Sequence, residues 1–175
     1  MRLFIAVPLS DAVRNSLVSY QDKLYDLGVR GNFSSKENLH ITMAFIGEYS
    51  DPDSVLNALS SVTFTPIPIT LSETGTFRDL WWAGISGSPA LEAVCRRIRR
   101  TLSESGIPWD RKRFSPHITL LRKANIEVIP PIKPDPVSMN VDTISLFRSE
   151  RGKNGMIYTD IGHIHAITDY SPLQE

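Results

Sequence analysis

Two segments of this chain repeat one arrangement of side chains capable of acid–base chemistry: His40-Ile41-Thr42-Met43 and His117-Ile118-Thr119-Leu120. Side chains alternate faces along a strand, so in each segment the histidine and threonine point one way and the apolar residues the other. A single His-x-Thr on a strand is ordinarily a structural pair. Two of them in matching surroundings, in a chain with 4 histidines, argue for a shared task. Facing each other across a cleft, the strands would offer two imidazoles and two hydroxyls to one ligand. Imidazole titrates near about 6.5, so one ring can be a base while the other is an acid. That pairing suits displacement at phosphorus: one histidine takes a proton from the attacking water, and the other protonates the departing oxygen on the far side. Thr42 and Thr119 would donate hydrogen bonds to the non-bridging oxygens as negative charge grows there. The Arg122 guanidinium could clamp the same anion. It stands an odd number of residues beyond His117, however, and a regular strand would turn it away, so reaching the site requires a bulge, a strand end or a long reach. The two motifs are too alike for residue chemistry to say which histidine is the donor.

The elements that must position these residues alternate between strands and helices. Residues 2–7 read as a strand. A helix opens at Ser10-Asp11, with Val13, Leu17, Tyr20, Leu24 and Leu27 on its apolar stripe, and ends at Gly28. Residues 39–46 form the first motif strand, and Asp51-Pro52 caps a short helix with Val55, Leu56 and Leu59 inward. Strands are expected near 67–73 and 80–86. A helix from Ser88-Pro89 follows, with Leu91, Val94, Cys95, Ile98 and Leu102 inward and Gly106 closing it. The second motif strand is 116–122. Residues 124–136 hold four prolines and read as a loop, and strands near 137–147 and 156–167 flank a turn at 150–155. Each half thus carries an amphipathic helix followed by a His-Ile-Thr-apolar strand, an internal repeat without a polar linker. The expectation is one domain over 1–175, built of two lobes with one motif each.

The chain has 175 residues, 41% of them hydrophobic and 22% charged, which suits a folded interior and excludes a disordered tail or a collagen-like chain. Its 19 basic and 19 acidic side chains give no net charge, which removes the simplest argument for a nucleic-acid coat protein. Charge position is more telling. Residues 88–123 carry 9 basic against 3 acidic side chains, including Arg96, Arg97, Arg99 and Arg100 on one helix and Arg111, Lys112 and Arg113 after it. A solvated helix face is the plain reading of the helix arginines, and a local anion-binding patch beside the second motif is the sharper one. The lone Cys95 can make neither an internal disulfide nor a CxxC site and falls on the apolar stripe of its helix. No apolar stretch approaches a membrane span, no signal peptide is apparent, and a cytoplasmic location is the default expectation.

The residues carry a resemblance. KENLHITMAFIGE at 36–48 and FSPHITLLR at 114–122 resemble the two signature blocks of the two-histidine (2H) phosphoesterases, most closely the RNA 2′,3′-cyclic phosphodiesterase branch, also called 2′-5′ RNA ligases. The opening MRLFIAVPL and the late SLFRSERGKNGMIYTDIG are similar to that branch too, so the likeness spans nearly the whole chain. It implies an α+β fold of two lobes with pseudo-twofold symmetry, antiparallel sheets lining a central cleft and helices packed outside. It implies opening of a terminal 2′,3′-cyclic phosphate to a 2′-phosphate with neither metal nor cofactor, and the reverse joining of RNA ends through a 2′-5′ linkage. By motif position, His40 would be the proton donor to the leaving ribose oxygen and His117 the proton acceptor from water. Thr42, Thr119 and Arg122 would hold the phosphate. The RNA end would be the partner, met by a monomer without a membrane.

Two other functions compete: a 2H enzyme acting on a small cyclic phosphate or nucleotide, and a non-catalytic module that binds RNA ends. The duplicate His/Thr pairs argue against the latter, since binding alone needs cations and stacking rather than two titrating rings. Several further residues have a plain reading and a functional one. His163 and His165 share a strand face, as two metal ligands would, but no third ligand at metal spacing accompanies them. Trp81, Trp82 and Trp109 could stack bases, although a tryptophan in a strand is usually core. Phe45, on strand parity, is expected in the core. Arg151 and Lys153 sit at an exposed hairpin tip that could touch an RNA end.

Overall fold

The computed structural model of the protein describes residues 1–86, 89–126, 128 and 130–168. Ser88 and positions 127 and 129 of the proline-rich loop lie outside them. Among the described residues, nine strands and three α-helices follow in the order β1 (Arg2–Pro8), α1 (Asp11–Asp26), β2 (Asn32–Phe33), β3 (His40–Glu48), α2 (Pro52–Ser60), β4 (Ile67–Phe77), β5 (Leu80–Ser86), α3 (Pro89–Glu104), β6 (His117–Arg122), β7 (Ser138–Val141), β8 (Thr143–Gly152) and β9 (Gly155–His165).

Local chemistry sets the helix ends. The Ser10 hydroxyl accepts from the Val13 amide at the start of α1, and the Asp51 carboxylate accepts from the Ser54 amide at the start of α2. Helices α1 and α3 each close on a glycine at positive φ, Gly28 and Gly106, and the next amide reaches back to the last turn (Val29 to Leu24, Ile107 to Leu102). The apolar stripes of both helices are buried as their spacing requires, except that Leu27, past the end of α1, is 55% exposed.

All strand pairings are antiparallel, and they join in one curled sheet of order β7-β4-β5-β6-β3-β1-β8-β9, with β2 beside β6. The two motif strands lie at its centre and meet at one registered pair, Ile41 opposite Ile118. Those are the middle residues of the two motifs, so a pseudo-twofold axis passes between them. It relates the strand–helix–strand unit β1-α1-β3 to β5-α3-β6. Each helix crosses to the opposite half of the sheet. From α1, Tyr20 bonds Thr74 on β4 and Gln21 bonds Leu120 on β6; from α3, Cys95 and Arg99 bond Met43 on β3. The crossing ties the two lobes through shared core contacts. The stretch expected as one strand at 137–147 is instead two, β7 and β8, which break at Asp142 and pair with opposite ends of the sheet.

Candidate active site

Strand alternation alone would keep Arg122 away from His117, and a bulge in β6 changes that. Along β6, Thr119 faces Trp82 and Leu121 faces Trp81, so Leu120 is an extra residue with no partner on β5. Leu120 and Leu121 are consequently both buried, and Arg122 returns to the face that carries His117 and Thr119. Strand β3 does the same at the equivalent position. Thr42 faces Ala6 and Ala44 faces Ile5, which leaves Met43 as the extra residue. Phe45, equivalent to Arg122, therefore shares the face of His40 and Thr42. It is half-buried outside the main core, with the Arg2 guanidinium 5.1 Å above its ring. The expectation that Phe45 packs in the core is corrected: the bulge resets the parity on which it rested.

The two imidazoles are held alike at one edge. His40 Nδ1 lies 2.6 Å from the Asn38 carbonyl and His117 Nδ1 lies 2.6 Å from the Ser115 carbonyl. A carbonyl only accepts, so Nδ1 carries the hydrogen in both rings and Nε2 is left for chemistry. Beyond that edge they differ. His40 is half-buried, and the Thr42 hydroxyl lies 2.9 Å from its Nε2. Phe4 and Tyr158 wall it in, with ring centroids at 5.0 and 5.4 Å. Burial pushes its pKa below the ordinary imidazole value. The Asn38 carbonyl opposes that shift, and the charges of His117 and Arg122 add to it. The Arg122 effect also places its guanidinium within electrostatic reach of His40, across the pseudo-axis. His117 and Arg122 are exposed, and the Thr119 hydroxyl has no hydrogen-bond partner among the described residues.

An open cavity of about 490 Å³ adjoins His117, bordered by Phe77, Leu80, Trp82 and the carboxylates of Glu73 and Glu92. The Trp82 indole lies across Gly75, where a Cβ would come within 2.1 Å of the ring, so only glycine can seat it. Trp81 is wholly buried, with its indole N–H donating to the Ile126 carbonyl. Trp109 is no free stacking surface: Arg99 and Arg111 lie over its ring at 4.8 and 4.5 Å. Two arginines of α3 bond backbone carbonyls elsewhere in the fold. Arg97 donates to the Thr63 carbonyl, and Arg99 donates to those of Met43 and Lys112. Arg111, Lys112 and Arg113 remain exposed beside the second motif. Burial raises the Cys95 thiol to about 11, so it stays protonated and donates to the Met43 carbonyl. His163 and His165 stack edge to face at 4.7 Å, and no group of three metal-ligating side chains gathers among the described residues. The hairpin of β8 and β9 that carries Arg151 and Lys153 is tied to the site, because the Asn38 amide donates to the Met156 carbonyl. Among the described residues, no helix is long and apolar enough to cross a membrane.

What sequence reasoning missed is the aromatic wall. Phe4 comes from β1 and Phe147 and Tyr158 from the distant β8–β9 hairpin, and they meet beside His40 because β1 lies between β3 and β8.

A curled antiparallel sheet with one His-x-Thr strand from each half at its centre defines the two-histidine phosphoesterase class. The chain belongs to the 2′-5′ RNA ligase superfamily, whose family model matches residues 11–153. It is 26% identical to an RNA 2′,3′-cyclic phosphodiesterase of Thermotoga maritima, over 90% of this chain and 91% of that one. It is 28% identical to the protein of the same name from Escherichia coli, over 91% and 93%. The crystal structure of E. coli LigT complexed with 3′-AMP superposes with a TM-score of 0.86 at 26% identity, covering 95% of this chain and 98% of that one. The MHV ns2 PDE domain shares the fold, with a TM-score of 0.61 at 14% identity.

Proposed function

We propose that the whole chain acts as one two-lobed RNA 2′,3′-cyclic phosphodiesterase that opens the terminal cyclic phosphate to a 2′-phosphate by acid–base catalysis between His40 and His117. The observation that carries this reading is the central pairing of the two motifs, each imidazole fixed through Nδ1 so that Nε2 is the nitrogen left to exchange protons. The names of the relatives support the substrate class.

In the proposed reaction, water loses a proton to His117 Nε2 as its oxygen attacks phosphorus. The bond from phosphorus to the ribose 3′ oxygen breaks, and that oxygen takes a proton from His40 Nε2. Thr42, Thr119 and Arg122 hold the non-bridging oxygens. Burial favours the neutral form of His40 in the free protein, and a bound phosphate favours the protonated one. The phosphate's negative charge, set beside His40, His117 and Arg122, offsets the repulsion that otherwise disfavours the imidazolium. In ligation a ribose hydroxyl takes the place of water on the His117 side, where the cavity bordered by Trp82, Leu80 and Phe77 has room for a nucleoside.

The test is a short RNA ending in a 2′,3′-cyclic phosphate, incubated in excess EDTA, with the 2′- and 3′-phosphate products resolved. Clean 2′-phosphate supports the reading. No turnover, with activity retained on a cyclic mononucleotide, would move the substrate to a small cyclic phosphate. Activity only after metal is restored would overturn the two-histidine mechanism.

A further inference from the structure

We infer that Gln21 is a positioning residue for Arg122: its side-chain amide holds the bulge in β6 that turns Arg122 into the cleft, and Arg99 does the same for the bulge in β3 behind Phe45. The inference rests on the proposed phosphate-binding role of Arg122.

An extra residue in a strand has no partner on the neighbour it bulges from, and in a core its carbonyl depends on donors from elsewhere. The bulge carbonyl of β6 is that of Leu120. It accepts from Gln21 Nε2 at 2.9 Å and from the Ser34 amide at 2.9 Å. The second hydrogen of the same amide goes to the Ser34 carbonyl at 3.0 Å. Gln21 is 6% exposed, a buried polar side chain on a helix face otherwise filled by Leu17, Tyr20 and Leu24. A leucine there would bury as well; only a group with two N–H bonds serves both carbonyls. The bulge carbonyl of β3, that of Met43, is satisfied in the same manner by Arg99 Nε at 3.0 Å and Cys95 Sγ at 3.2 Å. Arg99 also donates to the Lys112 carbonyl at 2.8 Å, and the Asp110 amide donates to the Phe45 carbonyl at 2.7 Å. Gln21 and Arg99 occupy the same position in two helices of 16 residues each. Two unlike side chains at equivalent places thus do one job. Without the Gln21 amide, the Leu120 carbonyl keeps only the Ser34 amide and the Ser34 carbonyl loses this donor, so the bulge is held less firmly against a register that pairs every β6 residue with β5. That one-residue slip turns Arg122 off the cleft face and Leu121 onto it.

The experiment is a double-mutant cycle on cyclic-phosphate RNA hydrolysis with Gln21→Met, Arg122→Ala and the pair. Gln21→Met is expected to raise KM about tenfold, in the direction of Arg122→Ala, and to add nothing in the Arg122→Ala background. Arg99→Met is the control, and its effect should multiply with that of Arg122→Ala. If Gln21→Met does not fold, Gln21→Asn, which keeps the amide but draws it back from Leu120, carries the same cycle. Affinity for inorganic phosphate gives the cycle without turnover, so an inactive wild type would speak against the proposed reaction and leave this inference testable. Unchanged KM and phosphate affinity in Gln21→Met, or full multiplication with Arg122→Ala, would overturn it.

Discussion

His40 and His117 hold equivalent places in two halves that fold the same way, down to the bulge after each threonine and the glycine that closes each helix. Their surroundings are nonetheless opposite. The half built from β1, β3, β8 and β9 stacks Phe4, Phe147 and Tyr158 behind His40 and closes Thr42 onto its Nε2. The half built from β4 to β7 leaves His117 exposed at the edge of an open cavity, with Thr119 unengaged. Asymmetry of solvation makes the two rings distinguishable, whereas two identical imidazoles would share a single proton with no preference for either. The same contrast holds at the bulges. One presents a cation, Arg122, and the other an aromatic ring, Phe45. The two bulges thereby set different chemistry on either side of one axis.

The largest effect should come from removing either ring. His40→Ala and His117→Ala are each expected to lower kcat by about a thousandfold or more, with circular dichroism unchanged. If one of them kept the wild-type rate, the pair would not be an acid–base couple. Next is the contrast between the bulge residues. Arg122→Ala should lower kcat/KM by about 10- to 100-fold, and Arg122→Lys should restore it only in part, because an ammonium cannot grip two oxygens at once. Phe45→Ala should act on KM alone, and a loss in kcat equal to that of Arg122→Ala would erase the contrast.

A smaller, diagnostic effect concerns pH. His40 has a lowered pKa in the free protein, so the limb of kcat/KM that reports it should lie below about 6.5 and move upward in kcat, where bound phosphate restores the proton. Tyr158→Ala, by admitting water to His40, should raise the kcat/KM limb, and a limb that did not move would remove burial as the cause. The smallest effect is on stability. A histidine whose folded pKa is depressed contributes stability that is present above its unfolded value of about 6.5 and lost as pH falls toward the folded value. The thermal midpoint should therefore drop on acidification through that window, and less so in His40→Ala.

Much of this was legible in the chain. The two motif strands, the helix stripes and the caps at Ser10 and Asp51 follow from periodicity and residue type, and the repeat predicted two halves. The bulges were not legible, because Met43 and Leu120 look like ordinary inward residues of a regular strand. The parity argument that left Arg122 in difficulty and put Phe45 in the core assumed that regularity. Gln21 was invisible for a related reason: a polar residue on a helix reads as solvent-facing until the carbonyl it serves is known. The crossing of α1 and α3 between halves, the short β2 and the wall around His40 depend on which strands become neighbours, and local pattern does not carry that information.

The division of labour between the two rings can be tested through the leaving group. A 2′,3′-cyclic substrate with sulfur in place of the 3′ bridging oxygen departs as a thiolate and needs no proton from an acid, while attack by water still needs a base. On that substrate His40→Ala should recover hydrolysis toward the wild-type rate and His117→Ala should remain inactive. Rescue of His117→Ala instead would exchange the two roles, and rescue of neither would contradict acid catalysis by His40.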